Sequence, residues 1–230
     1  MKSRKYLFLI PARKNSKRLP NKNTRLLRGK PLISYSLDYV NLIAKASDTI
    51  CVSTDDHKVI KITKKYKNIR CIRRPDFISN DETSMEKVIL HTLNIYESEN
   101  IFFDAIILLQ PTSPMRKISD FRNLISKYND NVDIVVSVRE SRENPYYLLY
   151  EENESGYLIR SKKSDLKRSQ DSPKVFCLNG AFFMYNIKSF KRNKLKELKK
   201  VVKFSMPYKR SIDIDDAIDW ELTEIFMNNE

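Results

Sequence analysis

The chain of 230 residues is long enough for one sizeable α/β domain with an ordinary buried core, and it is too short for two full domains. Its hydrophobic fraction of 41% and aromatic fraction of 10% exclude an intrinsically disordered protein. The formal net charge of +14 attracts polyanions, but the cations are spread along the whole chain, which favours a lysine-rich surface over a nucleic-acid-binding tail.

The cysteines and the apolar runs predict a cytoplasmic protein. Cys51, Cys71 and Cys177 are far apart and odd in number, as expected of buried thiols in a reducing compartment. Neither His57 nor His91 has a second histidine at metal-ligand spacing, so zinc is not expected. The first apolar run is too short for a secretory signal, and no stretch approaches the roughly 18 apolar residues that span a bilayer. We therefore expect no membrane partner.

The first predicted strand runs into a loop that has the composition of a phosphate-binding site. Residues 6–10 are apolar and β-prone, and Pro11 ends them. The residues that follow carry cations and hydrogen-bonding side chains: Arg13, Lys14, Asn15, Ser16, Lys17, Arg18, Asn21, Lys22 and Asn23. Because guanidinium, ammonium and turn N–H groups bind phosphate oxygens, the loop predicts a polyanion site, with an ordinary charged surface loop as the alternative.

The same loop contains no glycine, which excludes two familiar phosphate-binding motifs. Neither a Walker A sequence nor a dinucleotide fingerprint forms without glycine. Asparagine tolerates a left-handed backbone conformation well, so we expect Asn15 to adopt it in this loop.

The rest of the chain alternates between strand and helix patterns. Strands are predicted at 6–10, 49–54, 69–72, 105–109, 133–138, 181–185 and 201–206, and helices at 32–43, 56–66, 84–97, 119–128, 187–199 and 215–227. Residues 105–109 form the most continuous apolar run, so we place that strand at the centre of a parallel sheet. The pattern predicts a doubly wound, mostly parallel α/β sheet with helices on both faces.

Residues 139–178 interrupt this alternation. Short strands at 146–150 and 157–160 flank a turn, and the residues after them are polar and irregular. We interpret 139–178 as an arm inserted in a single domain of residues 1–230.

The loop after the central strand carries polar side chains where open α/β sheets bind ligands. Gln110, Thr112, Ser113 and Arg116 lie in this loop. Gln110 has donors and acceptors that are able to read the edge of a base. The alternative is an ordinary turn in which a hydroxyl caps the backbone.

Two aspartates near the C-terminus form the clearest metal candidate. In an extended chain, residues two apart point to the same side, so Asp213 and Asp215 converge while Ile212 and Ile214 face the core. Two carboxylates completed by water and phosphate oxygens are a typical Mg²⁺ site, and the alternative is a simple helix cap. A phosphate-binding loop combined with such a pair indicates a nucleoside triphosphate whose phosphorus is attacked.

Six ordered motifs together resemble the bacterial acylneuraminate cytidylyltransferases, also called CMP-sialic acid synthetases. The motifs are Ile-Pro-Ala-Arg-x-x-Ser-Lys-x-x-x-x-Lys-Asn, Ser-Thr-Asp, Arg-Pro followed by Asp-x-x-Ser, Leu-Leu-Gln-Pro-Thr-Ser-Pro-x-Arg, Asn-Gly-Ala and Ser-Ile-Asp-Ile-Asp. They cover nearly the whole chain, and the fourth and sixth are the most discriminating.

This resemblance implies a nucleotide-diphosphosugar-transferase-like α/β fold that binds CTP and a nonulosonic acid, which is a nine-carbon α-keto sugar acid. The anomeric hydroxyl of the sugar acid attacks the α-phosphate of CTP, and pyrophosphate leaves with Mg²⁺ assistance. The arm of such an enzyme typically builds a homodimer and reaches into the partner's active site.

The resemblance also implies roles for individual residues. The nucleotide-binding residues would be Arg13, Asn15, Ser16, Lys22, Asn23, Arg74, Ser84 and Gln110. The sugar-binding residues would be Gln110, Thr112, Ser113, Arg116, Gln170 and Asn179, with Arg168 contributed across the dimer. The catalytic residues would be Arg13, Lys22, Asp213 and Asp215, with the two aspartates holding the metal.

The identity of the sugar stays open at this point. Cys177 stands where sialic acid enzymes often have arginine, so legionaminic and pseudaminic acid are alternatives to N-acetylneuraminic acid. The 3-deoxy-manno-octulosonate cytidylyltransferases share the opening loop and are a more distant alternative. A basic nucleic-acid-binding module is the alternative from another class, but the chain has no RRM, KH or zinc-finger signature. We expect no nucleic-acid partner.

Overall fold

A central sheet organises the protein, seen in a computed structural model that describes residues 4–14, 16–80, 82–165, 168–193 and 195–228. The strands in this part of the chain are β1 (Tyr6–Pro11), β2 (Leu26–Leu27), β3 (Lys30–Pro31), β4 (Thr49–Thr54), β5 (Ile69–Arg73), β6 (Ala105–Leu108), β7 (Ile134–Glu140), β8 (Tyr150–Glu152), β9 (Leu158–Arg160), β10 (Phe176–Asn186) and β11 (Val201–Ser205). The α-helices are α1 (Leu32–Ile43), α2 (His57–Thr63), α3 (Met85–Ser98), α4 (Ile118–Lys127), α5 (Ile187–Arg192) and α6 (Ala217–Asn228).

The order of strands in the sheet is β11-β7-β10-β6-β1-β4-β5. Strand β10 is antiparallel to both of its neighbours, and the other neighbouring pairs are parallel. Strand β6 is fourth of the seven, so its continuous apolar sequence does mark the centre. The predicted doubly wound, mostly parallel α/β fold is confirmed.

Helices cover both faces of the sheet because the strands are apolar on both sides. In β1, Phe8 and Ile10 contact one hydrophobic cluster and Leu7 and Leu9 contact the other. Helices α1, α2 and α4 contribute to the first cluster, and α3 and α5 contribute to the second. A third cluster joins Trp220 of α6 to the end of the basic loop. No helix among the described residues is both long and apolar enough to cross a bilayer.

Polar side chains fix the starts of two helices, close to where the sequence predicts those helices to begin. The Asp56 carboxylate accepts the amide of Lys58 at 2.8 Å and caps α2. Ser84 is the N-cap of α3 and accepts the amide of Lys87 at 3.4 Å. Asp55 instead accepts the amide of Lys14 at 2.8 Å, which ties the basic loop to the end of β4.

The predicted helix at 187–199 is too long. Helix α5 ends at Arg192, and a single 3₁₀ turn follows. The Asp133 carboxylate accepts the amides of Lys199 and Lys200, and this long-range contact turns the chain towards β11. Lysine and leucine at helical spacing do not reveal such a contact.

The arm contains the predicted hairpin, but its first strand was placed too early. Strand β8 begins at Tyr150 and pairs with β9. The carbonyl of Asn144 accepts the amides of Tyr147 and Leu148, so the residues before β8 form a turn. The arm itself is also shorter than 139–178, because β7 continues to Glu140 and β10 begins at Phe176.

Candidate active site

A cleft of about 320 Å³ opens at the carboxyl ends of the central strands. It brings together the basic loop, the start of α3, the loop after β6 and the two C-terminal aspartates. Nine predicted site residues line it: Arg13, Ser16, Lys22, Asn23, Arg74, Gln110, Thr112 and the two metal candidates Asp213 and Asp215. Asn15 lies outside the described residues.

Backbone and side-chain hydrogen bonds hold the basic loop against β4. The amide of Ala12 donates to Ser53 O at 2.9 Å, and the Thr54 hydroxyl donates to Ala12 O at 2.5 Å. The side chain of Asn23 donates to Arg13 O at 3.0 Å and closes the loop on itself. These contacts fix the path of the loop without glycine.

The left-handed residue in the described part of this loop is Asn21, with φ of 55°. Its carbonyl accepts the amides of Thr24 and Arg25, both at 2.9 Å, so the chain reverses and presents Lys22 to the cleft. The conformation predicted for Asn15 lies outside the described residues. Asparagine tolerates a left-handed backbone conformation well, and Asn21 adopts that conformation here.

Substitutions at Asn21 provide a test of this turn. We expect Asn21→Gly to be nearly neutral and Asn21→Val to lose about 1–2 kcal/mol of unfolding free energy, because a β-branched residue is strained at positive φ. Asn131→Val at an exposed asparagine outside the left-handed region is the control. Urea denaturation measures the three variants. Equal stability of Asn21→Gly and Asn21→Val would contradict the strain argument.

The basic loop and the aspartate pair touch directly. The Lys22 ammonium donates to Ile214 O at 2.6 Å and to Asp215 Oδ1 at 3.1 Å. The amide of Ile214 donates to Thr112 O at 2.9 Å, and the Ile214 side chain is fully buried. As predicted, Ile212 and Ile214 pack in the third hydrophobic cluster while both carboxylates line the cleft.

The Asp213 carboxyl is suited to receive a cation. Burial raises its pKa, which a hydrogen bond from Thr112 opposes and the negative charge of Asp215 reinforces. Its buried Oδ1 atom has no hydrogen-bond partner among the described residues. These oxygens fit Mg²⁺, which prefers hard ligands and keeps several water molecules. No cluster of three or more His, Cys, Asp or Glu residues in the described ranges forms a complete metal cage.

Gly180 allows Asp213 to occupy this position, a role that was not predicted from the sequence. Its φ is +71°, and an added Cβ would lie 2.6 Å from Asp213 Oδ2 and 3.3 Å from Gln110 Oε1. The available signal was the glycine in the Asn-Gly-Ala motif. Glycine is needed here because two site side chains pack directly over the backbone.

Arg74 lines the cleft from the side of β5. It is buried, and its guanidinium donates to Ser53 Oγ at 3.3 Å and to Ser53 O at 3.0 Å. Burial lowers the pKa of Arg74, with the nearby charge of Arg13 acting in the same direction. The adjacent wall consists of Asn80, Thr83, Met85 and Val88, which the sequence analysis did not identify.

Ser84 does not line the cleft, and its hydroxyl accepts the capping hydrogen bond at the start of α3. Its predicted nucleotide contact stays a prediction.

Arg116 also does not line the cleft, and its predicted position on the sugar side stays a prediction. Its three guanidinium nitrogens donate to Ala181 O, Ser36 Oγ and Gln110 O at 2.8, 3.1 and 2.5 Å. Burial lowers its pKa to about 10. Because protein acceptors engage each nitrogen, Arg116 supports the backbone of Gln110.

Ser113 and Asn179 belong to the same buried network and not to the cleft lining. The Asn179 side chain donates to Ser211 Oγ at 2.9 Å and accepts the Ser137 hydroxyl at 2.5 Å. The Ser113 hydroxyl donates to Asn179 O at 3.3 Å. Their side chains hold the irregular part of β10 that carries Gly180, and their predicted contacts with the sugar stay predictions.

Gln170 and Arg168 lie in the arm and are not part of this cleft. Arg168 is exposed and forms two hydrogen bonds with Asp171, at 2.9 and 3.1 Å. Gln170 lines a separate cavity of about 330 Å³ next to Glu140 and Asn144. The contribution of Arg168 to a partner's site stays a prediction.

Removing the Arg116 guanidinium tests its structural role. We expect Arg116→Met to lose about 3 kcal/mol of unfolding free energy, because it leaves several buried acceptors without a donor. The control is Arg122→Met on the exposed face of α4, with an expected change within about 0.5 kcal/mol. Chemical denaturation measures both. A loss as small as that of the control would contradict the supporting role.

Comparisons with known proteins agree with this geometry. The sequence profile of the family described as cytidylyltransferase matches residues 7–229. The chain is 32% identical to the CMP-N,N'-diacetyllegionaminic acid synthase of Legionella pneumophila, over 96% of this chain and 95% of that protein. It is 29% identical to the pseudaminic acid cytidylyltransferase of Campylobacter jejuni, again over 96% and 95% of the two chains.

Two further proteins extend the comparison. The N-acylneuraminate cytidylyltransferase of Escherichia coli is 29% identical over 95% of this chain, which matches 51% of that protein. The solved structure of CMP:2-keto-3-deoxy-manno-octonic acid synthetase complexed with CTP has a TM-score of 0.68 at 19% identity, covering 98% of this chain and 99% of the other, and supports the fold alone. On the profile match and the Legionella relative, the chain belongs to the cytidylyltransferase family.

Proposed function

We propose that this protein transfers the cytidylyl group of CTP to the anomeric hydroxyl of a nonulosonic acid and releases pyrophosphate. The observation that carries the proposal is the contact of Lys22 with Asp215 and Ile214 O, which joins a phosphate-binding loop to a carboxylate pair in one cleft. The names of the legionaminate, pseudaminate and N-acylneuraminate relatives support the class of sugar acid. Membership of the cytidylyltransferase family favours this enzyme over a nucleic-acid-binding module.

The proposed reaction forms one bond and breaks one. The oxygen of the anomeric hydroxyl bonds to the α-phosphorus of CTP, the bond from that phosphorus to the bridging oxygen breaks, and the hydroxyl proton is released. Arg13, Ser16 and Lys22 bind the triphosphate and stabilise the negative charge that develops on pyrophosphate. The Lys22 ammonium group is already oriented for this role, because it donates to Ile214 O and to Asp215.

Asp213 and Asp215 are the proposed ligands of Mg²⁺. A bound Mg²⁺ would neutralise phosphate charge and favour departure of pyrophosphate. The buried Oδ1 of Asp213, which has no hydrogen-bond partner among the described residues, supports this assignment. Gly180 keeps the carboxylate in place by leaving room for Oδ2.

The cytidine is proposed to lie between Arg74 and Gln110. Both side chains line the cleft, and the wall from the start of α3 lies beside them. Gln110 has an amide that is able to both donate to and accept from a pyrimidine edge. Its backbone is held by Arg116, so the side chain is presented from a rigid support.

One assay tests the proposed function. Pyrophosphate release is measured with CTP, Mg²⁺ and each of four acids: N,N'-diacetyllegionaminic, pseudaminic, N-acetylneuraminic and 3-deoxy-manno-octulosonic acid. We expect release with at least one nonulosonic acid and none when CTP is replaced by UTP. Release with none of the nonulosonic acids, or with the octulosonic acid alone, would overturn the proposal.

A homodimer built through the arm is part of the proposal. The hairpin leaves several large apolar side chains exposed: Leu148, Leu149, Tyr150, Tyr157, Leu158 and Ile159. Such a cluster is typical of an interface. We expect the protein to sediment as a dimer and Leu158→Glu to increase the dimer dissociation constant at least about tenfold, with Leu42→Glu, at an exposed leucine of α1, as the control. A monomeric wild-type protein would contradict this expectation.

We also propose a cytoplasmic location. The described thiols are free, and burial raises the pKa of Cys51 to about 12, so this thiol is inert. Free cysteines are typical of reducing compartments.

A further inference from the structure

Two cationic side chains contact the carboxylate of Asp215, one at each oxygen. Lys22 Nζ lies 3.1 Å from Oδ1, and Arg18 Nη2 lies 3.0 Å from Oδ2. Arg18 stands at an unspecified position of the first sequence motif, and it is not one of the residues that line the cleft. Its position nevertheless places a guanidinium directly on a proposed metal ligand.

The two partners of Asp215 differ in how firmly they are held. The Lys22 side chain is only 11% exposed and also donates to Ile214 O, so its position is fixed by the fold. The Arg18 side chain is 68% exposed, and Asp215 is the acceptor that the structure gives for its guanidinium. An exposed ion pair of this kind is weak and exchanges readily. Arg18 is therefore the partner that is able to leave.

A divalent cation and Arg18 would compete for the same carboxylate. A metal ion on Asp215 needs lone pairs that the guanidinium now uses, and it repels that guanidinium. Bound triphosphate would offer Arg18 new acceptors, because Lys22 and Asp215 both line the cleft beside it. Guanidinium binds phosphate oxygens as well as carboxylate oxygens.

We propose that Arg18 is a positioning residue that neutralises Asp215 in the substrate-free protein and moves to the phosphates of the nucleotide when a divalent cation takes Asp215. The exchange keeps the local charge balanced before and after substrate binding. It also prevents Asp215 from holding a metal ion tightly in the absence of nucleotide. The nucleotide part of this proposal rests on the proposed function, whereas the competition at Asp215 does not.

The experiment compares Arg18→Gln, Arg18→Lys and the control Arg28→Gln with the wild-type protein. Arg28 is an exposed arginine beyond the loop whose guanidinium donates to Met227 O, so the control removes one positive charge without releasing a carboxylate. Mn²⁺ binding to the nucleotide-free protein is measured by electron paramagnetic resonance. Affinity for CTP in the presence of Mg²⁺ is measured by calorimetry.

Arg18→Gln is expected to bind Mn²⁺ at least about threefold more tightly and CTP at least about tenfold more weakly than the wild type. Arg18→Lys keeps the charge, so its affinities for Mn²⁺ and CTP should lie between those of the wild type and Arg18→Gln. The affinities of Arg28→Gln should match those of the wild type within about twofold. If Arg18 had only a structural role, Arg18→Gln would bind both Mn²⁺ and CTP more weakly, or it would bind both with unchanged affinity.

Unchanged or weaker Mn²⁺ binding in Arg18→Gln would overturn the proposal, as would unchanged CTP affinity or the same Mn²⁺ gain in Arg28→Gln. If the wild-type protein binds no CTP, the proposed function fails instead, and the Mn²⁺ titration still decides whether Arg18 competes at Asp215.

Discussion

Asp213→Asn is expected to reduce turnover by about 100- to 1,000-fold, because it removes a negative charge from the proposed metal and triphosphate site. Asp215→Asn should have an effect of the same order, since its carboxylate faces the same cleft. The assay is pyrophosphate release with CTP, Mg²⁺ and the best nonulosonic acid from the substrate panel. Asn keeps the size of the side chain, so the change is one of charge.

Stability measurements distinguish this loss of turnover from a loss caused by unfolding of the variant. A buried carboxylate with an unpartnered oxygen costs stability, so Asp213→Asn without divalent cations should be at least as stable as the wild type. The control is Asp130→Asn, which removes an exposed carboxylate before the start of β7 and should retain full activity. Turnover of Asp213→Asn within about threefold of the wild type would refute its assignment as a metal ligand.

Gly180→Ala is the second change for which we expect a large effect. The new methyl group would lie 2.6 Å from Asp213 Oδ2, so the carboxylate must move from its position in the cleft. The positive φ adds strain of about 1–2 kcal/mol. We expect at least about a 100-fold loss of turnover, because a displacement of about 1 Å at a site residue is enough for such a loss.

Gly29→Ala is a matched control for this prediction. Gly29 has φ of +78°, close to that of Gly180, but a Cβ there would meet no atom within 4 Å. Both variants should therefore lose similar stability in urea, and only Gly180→Ala should lose activity. Equal activity of the two variants would show that the contact with Asp213 does not matter for turnover.

The structural features that depend on neighbours within a few residues were predicted correctly from the sequence. Helices α2 and α3 begin close to the predicted places, where Asp56 and Ser84 cap them, because a cap depends on neighbours two or three positions away. The continuous apolar run of β6 marked the centre of the sheet, since only a strand covered on both faces tolerates it. The spacing of Asp213 and Asp215 was enough to place both carboxylates in one cleft.

Contacts from distant parts of the chain decided the features that the sequence did not predict. The hydrogen bonds of Arg116 are an example, because Ser36 and Ala181 supply its acceptors from two other elements. Helix α5 ends at Arg192, and Asp133, far away in sequence, accepts the amides of Lys199 and Lys200 where a continued helix was predicted. Motif identity does not distinguish a residue that binds a ligand from one that supports its neighbour.

The sequence by itself determined the fold class, the family and the chemical nature of the cleft, because alternating apolar patterns and short polar motifs express local physics. Only the tertiary structure decided that Lys22 and Arg18 meet at Asp215, that Gly180 leaves room for Asp213, and that Arg116 is buried. These contacts join residues up to 197 positions apart. Their geometry depends on how the whole chain packs, which no local pattern contains.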